Sequence, residues 1–333
     1  MYIMRCDKVY SHYEDSRSYK LDDYDPYKCD PADCGFGQKI LFWRQAALLN
    51  ELSGHKFDIQ FKESIFPEHI FFDFPHTSFV SDDLYDPDVL DTLDYVGLER
   101  LVNAFNNRKP LKLGKNKNIL MNSWVIDQTR GVRIGFWGKY NEPTSAIKLR
   151  YPEYENVFKK AFGKFYTIHL RRMNGIWFED SDLGDMPLSL QQMFKRDKSG
   201  VTGIVESPWR WHIGKEITHS DVFRYIPDKN YFNIMDEILK DDPEAKFYIC
   251  SDMPQKYYRY WRRKYPIITR DDILNDYKKA LGLRYQNLTK YLTELSLDFF
   301  AMAYSKGIIA HAGSAFNIVA SQFREAPLIN VEH

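Results

Sequence analysis

Residues suited to binding an anion follow three apolar segments of this sequence, directly after each segment ends. They are Arg171 and Arg172, Ser251 and Asp252, and Gly313 and Ser314. A guanidinium group matches the oxygens of a phosphate, and a small-residue turn before a helix leaves backbone amides unpaired. Taken one at a time, such pairs are usually a solvated patch, a helix cap or a simple turn. Their shared placement favours a site for a phosphorylated ligand.

The second half of the chain predicts strands that alternate with helices. Strand-like runs occur at 165–170, 245–250, 267–268, 307–311 and 327–331, and helical patterns at 228–240, 288–305 and 316–323. Alternation at this spacing is typical of a parallel, doubly wound α/β sheet. Because the carboxyl ends of parallel strands meet at one edge, we expect the three polar pairs to line one crevice.

The first half is less regular. Gly35 and Gly37 open an amphipathic pattern that predicts a helix through residue 52, with strands at 69–74 and 119–126. Residues 1–4 suit a strand that would precede this helix, with 11–33 as an insertion. Between 150 and 164 the composition turns polar, so two domains are expected, at 1–160 and 161–333.

Composition excludes several classes of function. The 333 residues contain 46 basic and 46 acidic side chains, so no overall field favours nucleic acid or an anionic membrane. No run of about 18 apolar residues predicts a membrane span, and the missing signal sequence predicts a soluble, cytoplasmic protein. The four cysteines lack zinc-finger spacing and are too scattered for a disulfide framework, although Cys29 and Cys34 could pair or stay free.

Four short segments, in order along residues 34–331, resemble the motifs of fucosyltransferases. They are CGFGQ (34–38), IHLRR (168–172), FYICSD (247–252) and LDFFAMAYSKGIIAHAGSAFN (297–317). The resemblance is to the α1,6 type, which includes the bacterial nodulation enzymes; α1,2- and protein O-fucosyltransferases carry similar signatures. It implies a GT-B fold, in which two Rossmann-like domains face each other across a cleft and the second holds most of GDP-fucose.

The resemblance also implies roles for individual residues. His169 and Asp298 would contact guanine, Arg171 and Ser314 the phosphate, and Glu179 would be the catalytic base. Asp298 and Ser314 stand sixteen residues apart and Glu179 eight after Arg171, as in the family. Further contacts to the nucleotide sugar would come from Arg172, Ser251, Asp252, Gly313, Ala315, Gly35 and Gly37. A glycan acceptor is implied, with neither a cofactor nor a metal ion.

The residue types suit this chemistry in their own right. Displacing GDP from C1 of a sugar builds negative charge on the β-phosphate, which Arg171 and helix amides would stabilise. The acceptor hydroxyl must lose a proton to a nearby carboxylate. Glu179, Asp180 and Asp182 are all candidates, and the family spacing favours Glu179. An acidic surface loop at 175–182 is the simpler alternative.

Three other functions are compatible with parts of the sequence. Asp180 and Asp182 form a D-x-D pair, which in metal-dependent glycosyltransferases holds a divalent ion, although such short motifs also arise by chance. A non-catalytic sugar- or nucleotide-binding protein would keep Arg171 and Ser314 without needing a base. Residues 256–266 interleave aromatic and basic side chains and could bind nucleic acid, but a helix with a buried aromatic face explains them more simply.

Overall fold

The computed structural model describes residues 2–6, 36–53, 56–63, 66–84, 107, 109–110, 119–121, 147–170, 194–196, 202–204, 228–251, 258, 260–311 and 314–331. The chain divides into two compact units, Met1–Glu153 and Tyr154–His333. Within the described residues, no helix has both the length and the apolar character needed to cross a membrane.

The first unit contains a parallel sheet. Its elements are β1 (Tyr2–Cys6), α1 (Phe36–Ser53), β2 (Phe57–Lys62), β3 (Phe72–Asp73), β4 (Thr77–Val80), β5 (Ile119–Met121) and β6 (Lys148–Leu149), with 3₁₀ turns at Pro67–Ile70 and Asp82–Leu84. Among the described strands, β4, β2, β1 and β5 lie side by side in that order, all parallel. The short strands β3 and β6 pair separately and antiparallel.

Side-chain periodicity explains the main elements of this unit. Phe57, Ile59 and Phe61 alternate with half-buried polar residues along β2, so one face of the strand is buried. On α1, Ile40 and Trp43 recur at helical spacing and are also buried. Burial of one stripe on each element holds the helix and the sheet together.

The structure confirms some expectations for the first half and corrects others. The helix from Phe36 and the strand at the start of the chain are present. The strand predicted at 69–74 is mostly wrong, because Pro67–Ile70 form a 3₁₀ turn and only Phe72–Asp73 are extended. The strand predicted at 119–126 is present at Ile119–Met121, and its remainder lies outside the described residues. The sequence analysis did not predict β2, although its residues alternate between apolar and polar, and it did not predict β4.

The second unit contains a larger parallel sheet. Its elements are α2 (Tyr154–Phe162), β7 (Tyr166–Leu170), β8 (Phe194–Arg196), β9 (Thr202–Ile204), α3 (Asp228–Asp241), β10 (Phe247–Ser251), β11 (Ile267–Ile268), α4 (Arg270–Leu281), α5 (Lys290–Ala303), β12 (Ile308–Ala310), α6 (Ala315–Arg324) and β13 (Leu328–Asn330). The strands described in this sheet run in the order β11, β10, β7, β12 and β13, all parallel. The expected α/β class with parallel sheets is confirmed.

Helices cover both faces of this sheet. On one face, Ile168 and Ile249 belong to a core that includes Met235 of α3 and the aromatic side chain of Trp261. On the opposite face, the Thr167 hydroxyl donates to a carbonyl of α5, that of Ala301, at 3.0 Å. Neighbouring residues of a strand point to opposite faces, so position in the register decides which layer a side chain joins.

The described part of the aromatic and basic segment at 256–266 packs as expected but is not an α-helix. Tyr258, Trp261 and Tyr265 are buried, whereas the basic residues 262–264 are exposed. The described part is a 3₁₀ turn at Trp261–Arg263. Because Tyr258, Trp261 and Tyr265 belong to the core, these three side chains are not available to stack on nucleic-acid bases.

The order of the strands in the second unit defines where a ligand would bind. β7 comes first along the chain; β10 and β11 follow on one side of it, and β12 and β13 on the other. The direction of winding therefore reverses between β7 and β12. In open α/β sheets, ligands bind outside the carboxyl ends of the strands at this switch point.

Candidate functional site

Three polar residues surround the switch point of the second sheet. His169 lies near the carboxyl end of β7, and Ser314 and Asn317 belong to the start of α6, which follows β12. Asn317 Nδ2 is 3.3 Å from His169 Nδ1, so the helix and the strand are in direct contact. The site therefore lies where the topology predicts a ligand.

Ser314 caps α6 by position but not by its side chain. Its backbone is extended, with φ −91° and ψ 125°, and its hydroxyl makes no capping bond. The residue is 7% exposed, and among the described residues the buried Oγ has no hydrogen-bond partner. A buried hydroxyl normally finds a partner, and a helix amino terminus attracts anions. Both features suit a phosphate group at this position.

Asp298 lies on α5, on the sheet face that also carries Thr167. Its Oδ1 accepts a hydrogen bond from the Tyr248 hydroxyl at 2.5 Å, and its Oδ2 is paired with the guanidinium of Arg270. Arg270 also donates to Glu294 Oε2 at 2.9 Å. An ionised carboxylate has about four acceptor positions, so Asp298 retains capacity for a ligand after these two contacts.

Burial and the charge of Asp298 shift the pKa values of both residues that contact this carboxylate. Burial, and then the nearby charge of Asp298, hold the pKa of Tyr248 well above its ordinary value, so its hydroxyl keeps the proton that it donates. Burial by itself lowers the pKa of Arg270, but the charge and the hydrogen bond of Asp298, together with the nearby Tyr248 and Glu294, outweigh burial and raise that pKa. Asp298 is thus oriented by two fixed donors.

Ser251 belongs to the same sheet edge but points to the other face. In the register, Cys250 stands opposite His169 and Ser251 opposite Leu170, so Ser251 and His169 have opposite orientations. The Ser251 hydroxyl lies 2.8 Å from that of Tyr258, in the layer of the aromatic core. The structure therefore brings His169, Asp298 and Ser314 to one face but not the Ser251 side chain.

Several predicted residues lie outside the described part of the chain. They are Arg171, Arg172, Glu179, Asp252, Gly313 and Gly35, together with the alternative acids Asp180 and Asp182. Of the others, Ala315 is the first residue of α6, and Gly37 is buried in the first turn of α1, in the first unit. The roles of all the residues named in this paragraph remain predictions.

The sequence analysis did not single out Tyr248, Arg270 or Asn317. Arg270 follows the predicted strand 267–268, and the argument that selected Arg171 from the end of its strand would have selected it too. Asn317 stands within the third motif, three residues after Ser314. Tyr248 looks like a core residue because it lies inside an apolar strand.

Among the described residues, no group of three or more His, Cys, Asp or Glu side chains could hold a metal ion. The Asp180 and Asp182 pair lies outside this part of the chain. The D-x-D alternative is therefore left to experiment.

No family model matches the chain, and no curated protein matches its sequence. Among solved structures, the α1,6-fucosyltransferase NodZ soaked with GDP-fucose matches with 13% identity and a TM-score of 0.43, over 89% of this chain and 91% of that chain. NodZ from Bradyrhizobium matches with 13% identity and a TM-score of 0.41, over 89% and 91%.

A third match is POFUT1 in complex with GDP-fucose, with 10% identity and a TM-score of 0.40, over 99% of this chain and 97% of that chain. Identities and TM-scores this low do not establish the activity or the ligand of this chain.

Proposed function

We propose that this protein is an inverting, metal-independent glycosyltransferase that transfers L-fucose from GDP-fucose to a hydroxyl group of a glycan. The donor nucleotide binds in the second unit, at the carboxyl edge of the sheet between β7 and β12. The GT-B architecture implied by the motifs is part of this proposal.

The observation that carries the proposal is the set of groups at the switch point. The Ser314 hydroxyl is buried without a partner among the described residues, and its own helix does not use it as a cap. On the same face of the sheet, His169 and Asp298 offer an imidazole and a carboxylate. An anion-binding terminus beside a donor and an acceptor suits a nucleoside diphosphate, whose phosphates and base need these groups.

The proposed reaction forms and breaks one bond at C1 of the sugar. The acceptor oxygen bonds to C1 from the face opposite to GDP while the bond to the β-phosphate oxygen breaks, so the configuration at C1 is inverted. Negative charge grows on the β-phosphate, where Arg171, Ser314 and the first amides of α6 stabilise it. Glu179 takes the proton of the acceptor hydroxyl.

Recognition of the guanine base and the remaining contacts to the nucleotide sugar complete the proposal. Asp298 accepts hydrogen bonds from N1 and N2 of guanine, and His169 donates to the same base. The remaining contacts to the nucleotide sugar come from Arg172, Asp252, Gly313, Ala315, Gly35, Gly37 and the main chain near Ser251.

Thermal unfolding with different nucleotides tests the donor. The melting temperature is measured with GDP, GDP-fucose, UDP and ADP, each with and without EDTA. A ligand that binds only the native state at about a hundred times its Kd adds roughly 2.7 kcal/mol, which gives a visible shift. We expect GDP and GDP-fucose to stabilise the protein selectively, with no effect of EDTA.

Transfer of fucose from GDP-fucose to a panel of glycans tests the reaction, and release of GDP is the readout. Release that depends on a glycan supports a transferase. Stabilisation by GDP without release on any glycan favours the non-catalytic binding protein. Stabilisation by UDP, or only in the presence of a divalent ion, contradicts the role of Asp298 and favours the D-x-D alternative.

A further inference from the structure

Asn317 joins the first turn of α6 to the central strand β7. Its side chain is fully buried, and its Nδ2 donates to the carbonyl oxygen of His311 at 2.8 Å. The same Nδ2 is 3.3 Å from Nδ1 of His169. One amide nitrogen therefore faces two neighbouring groups, one of which is a backbone carbonyl.

The carbonyl of His311 determines which way the Asn317 amide points. A carbonyl oxygen only accepts hydrogen bonds, so the atom that faces it must be the amide nitrogen. The flipped amide would set its own oxygen against that carbonyl and lose the bond. The usual ambiguity between the oxygen and nitrogen of an asparagine side chain is therefore resolved by this contact.

The orientation of Asn317 in turn determines the role of His169 Nδ1. Because the amide group that faces Nδ1 is a donor, Nδ1 must be the acceptor. In a neutral imidazole one nitrogen accepts and the other carries the proton. The proton of neutral His169 therefore lies on Nε2, and the ring is a hydrogen-bond donor at that atom.

The surroundings of His169 are compatible with this arrangement. In the register, Cys250 of β10 and Ala310 of β12 stand opposite it on either side. The ring of Phe316 lies 5.8 Å away. None of these three neighbours carries a carboxylate that would draw the proton to Nδ1.

We propose that Asn317 is a positioning residue that holds His169 as the Nε2–H tautomer and so gives the site its preference for guanine. This inference rests on the proposed function. Guanine presents acceptors at N7 and O6, whereas adenine presents a donor amino group where guanine has O6. A histidine held as a donor at Nε2 therefore suits guanine, while Asp298 accepts from the donor edge of the same base.

The tautomer can be measured directly in the protein without nucleotide. The full chain is labelled with ¹⁵N-histidine, and long-range ¹H–¹⁵N spectra are recorded at about pH 8.5, where an ordinary histidine with a pKa of about 6.5 is neutral. The variant His169→Gln assigns the signals. We expect the Nε2–H pattern in the wild type and a mixture of tautomers in Asn317→Ala. A proton on Nδ1 in the wild type, or an unchanged pattern in Asn317→Ala, overturns the inference.

Asn317→Asp provides a second variant with nearly the same shape. A carboxylate beside Nδ1 accepts a hydrogen bond, so we expect the proton of His169 to move to Nδ1. An unchanged Nε2–H pattern in this variant contradicts the proposed control by Asn317. The wild-type spectrum alone still tests the tautomer if either variant fails to fold.

Calorimetric titration with GDP and ADP connects the tautomer to binding. We expect Asn317→Ala to reduce the preference for GDP over ADP by about tenfold, the lower part of the range for one base contact. Ser296→Ala is the matched control, because Ser296 is buried and hydrogen-bonded to Tyr277 and Thr293. An equal change of preference in both variants, or no change in Asn317→Ala, overturns the link to specificity.

Failure of this inference can be told apart from failure of the proposed function. If the wild type binds no nucleoside diphosphate, the proposed function fails, and with it the link to base specificity, while the NMR spectra still decide the tautomer. If GDP binds but the tautomer does not depend on Asn317, only the role of Asn317 is refuted.

Discussion

The guanidinium of Arg270 is paired with the carboxylate of Asp298, a residue 28 positions further along the chain. The side chains are 16% and 7% exposed, so this ion pair is largely removed from water. It fixes the carboxylate that we propose for guanine recognition.

Replacing Arg270 by alanine should destabilise the protein strongly. Removing one partner of a buried pair leaves the other charge uncompensated, which costs about 3–5 kcal/mol. We expect a loss of this size in the free energy of unfolding, measured with urea, and weaker binding of GDP. In the double variant with Asp298→Asn, the losses should be less than additive, because the uncompensated carboxylate is removed.

Lys264→Ala is the control for Arg270→Ala. Lys264 pairs with Asp236, but these side chains are 61% and 44% exposed. An exposed ion pair contributes about 1 kcal/mol or less to the free energy of unfolding. Equal losses for the two variants would contradict a special role for the buried pair.

Replacing Ser314 by alanine should weaken ligand binding without destabilising the fold. The Ser314 hydroxyl has no partner among the described residues, so its removal relieves a buried polar group that is not hydrogen-bonded. A hydrogen bond to a charged group contributes about 1.5–3 kcal/mol. We therefore expect the Kd for GDP, measured by calorimetry, to rise by tenfold or more, while the urea midpoint stays unchanged or increases.

Thr289→Ala provides the matched control, since Thr289 is the amino-terminal cap of α5 and accepts from the Leu292 amide at 3.2 Å. Loss of such a cap typically costs about 1 kcal/mol. This variant should lose stability and keep its affinity for GDP. If Ser314→Ala behaves in the same way, its hydroxyl is a structural group and not a ligand contact.

The pH dependence of stability should include a contribution from Glu155. Its Oε2 accepts from the Tyr304 hydroxyl at 2.7 Å and from Arg324 Nη2 at 2.6 Å. Burial by itself raises the pKa of Glu155, but the hydrogen bonds from Arg324 and Tyr304 and the charge of Arg324 outweigh it. The pKa therefore lies below its ordinary value of 4.5.

The sign of the effect follows from proton binding. With a lower pKa in the folded state, the unfolded chain binds more protons as the pH falls below about 4.5. The stabilisation from Glu155 is thus complete above that pH and is lost as the pH falls through the folded pKa. In urea unfolding between pH 7 and 3, Glu155→Gln should show a shallower decrease than the wild type. Lys159→Ala should keep most of the decrease, since Lys159 is 62% exposed.

Glu179→Gln should slow transfer while leaving nucleotide binding intact. A general base increases the reaction rate by about 10²- to 10⁴-fold, and the amide of a glutamine in its place cannot accept the proton. We expect kcat to fall within this range with GDP-fucose and an accepting glycan, and the Kd for GDP to stay constant. Asp180→Asn and Asp182→Asn are the controls. A larger loss of kcat in either of them, with transfer abolished by EDTA, would move the catalytic role to the D-x-D pair.

Local sequence patterns were sufficient for much of the second unit. Its long helices and buried strands show strong periodicity, and β7, β10, α5 and β12 occur where expected. The first unit was harder to predict. The apolar cluster at 69–74 looks like a strand, but Pro67 begins a 3₁₀ turn there, and β4 is half-buried along its whole length. A strand without a clearly buried face has no strong alternation to detect.

The candidate site shows the same division between local and long-range information. That polar residues follow strands is a local feature, and it led to Arg171, Ser251 and Ser314 directly from the printed sequence. Only pairing between distant segments showed that Asn317 lies against His169, 148 residues earlier in the chain. Asn317 and Arg270 were missed because no short pattern marks a contact formed by packing two elements together.

In the second unit, the residues at the ends of the long strands could be predicted from the order of apolar and polar residues along a short segment. Which of these residues share a face depends instead on how the strands pair in the folded sheet. His169 and Ser251 both lie near strand ends, yet the register places them on opposite sides of the sheet. Side chains alternate along a strand, so a shift of one residue between neighbouring strands reverses the face, and that shift is set by pairing across the whole sheet.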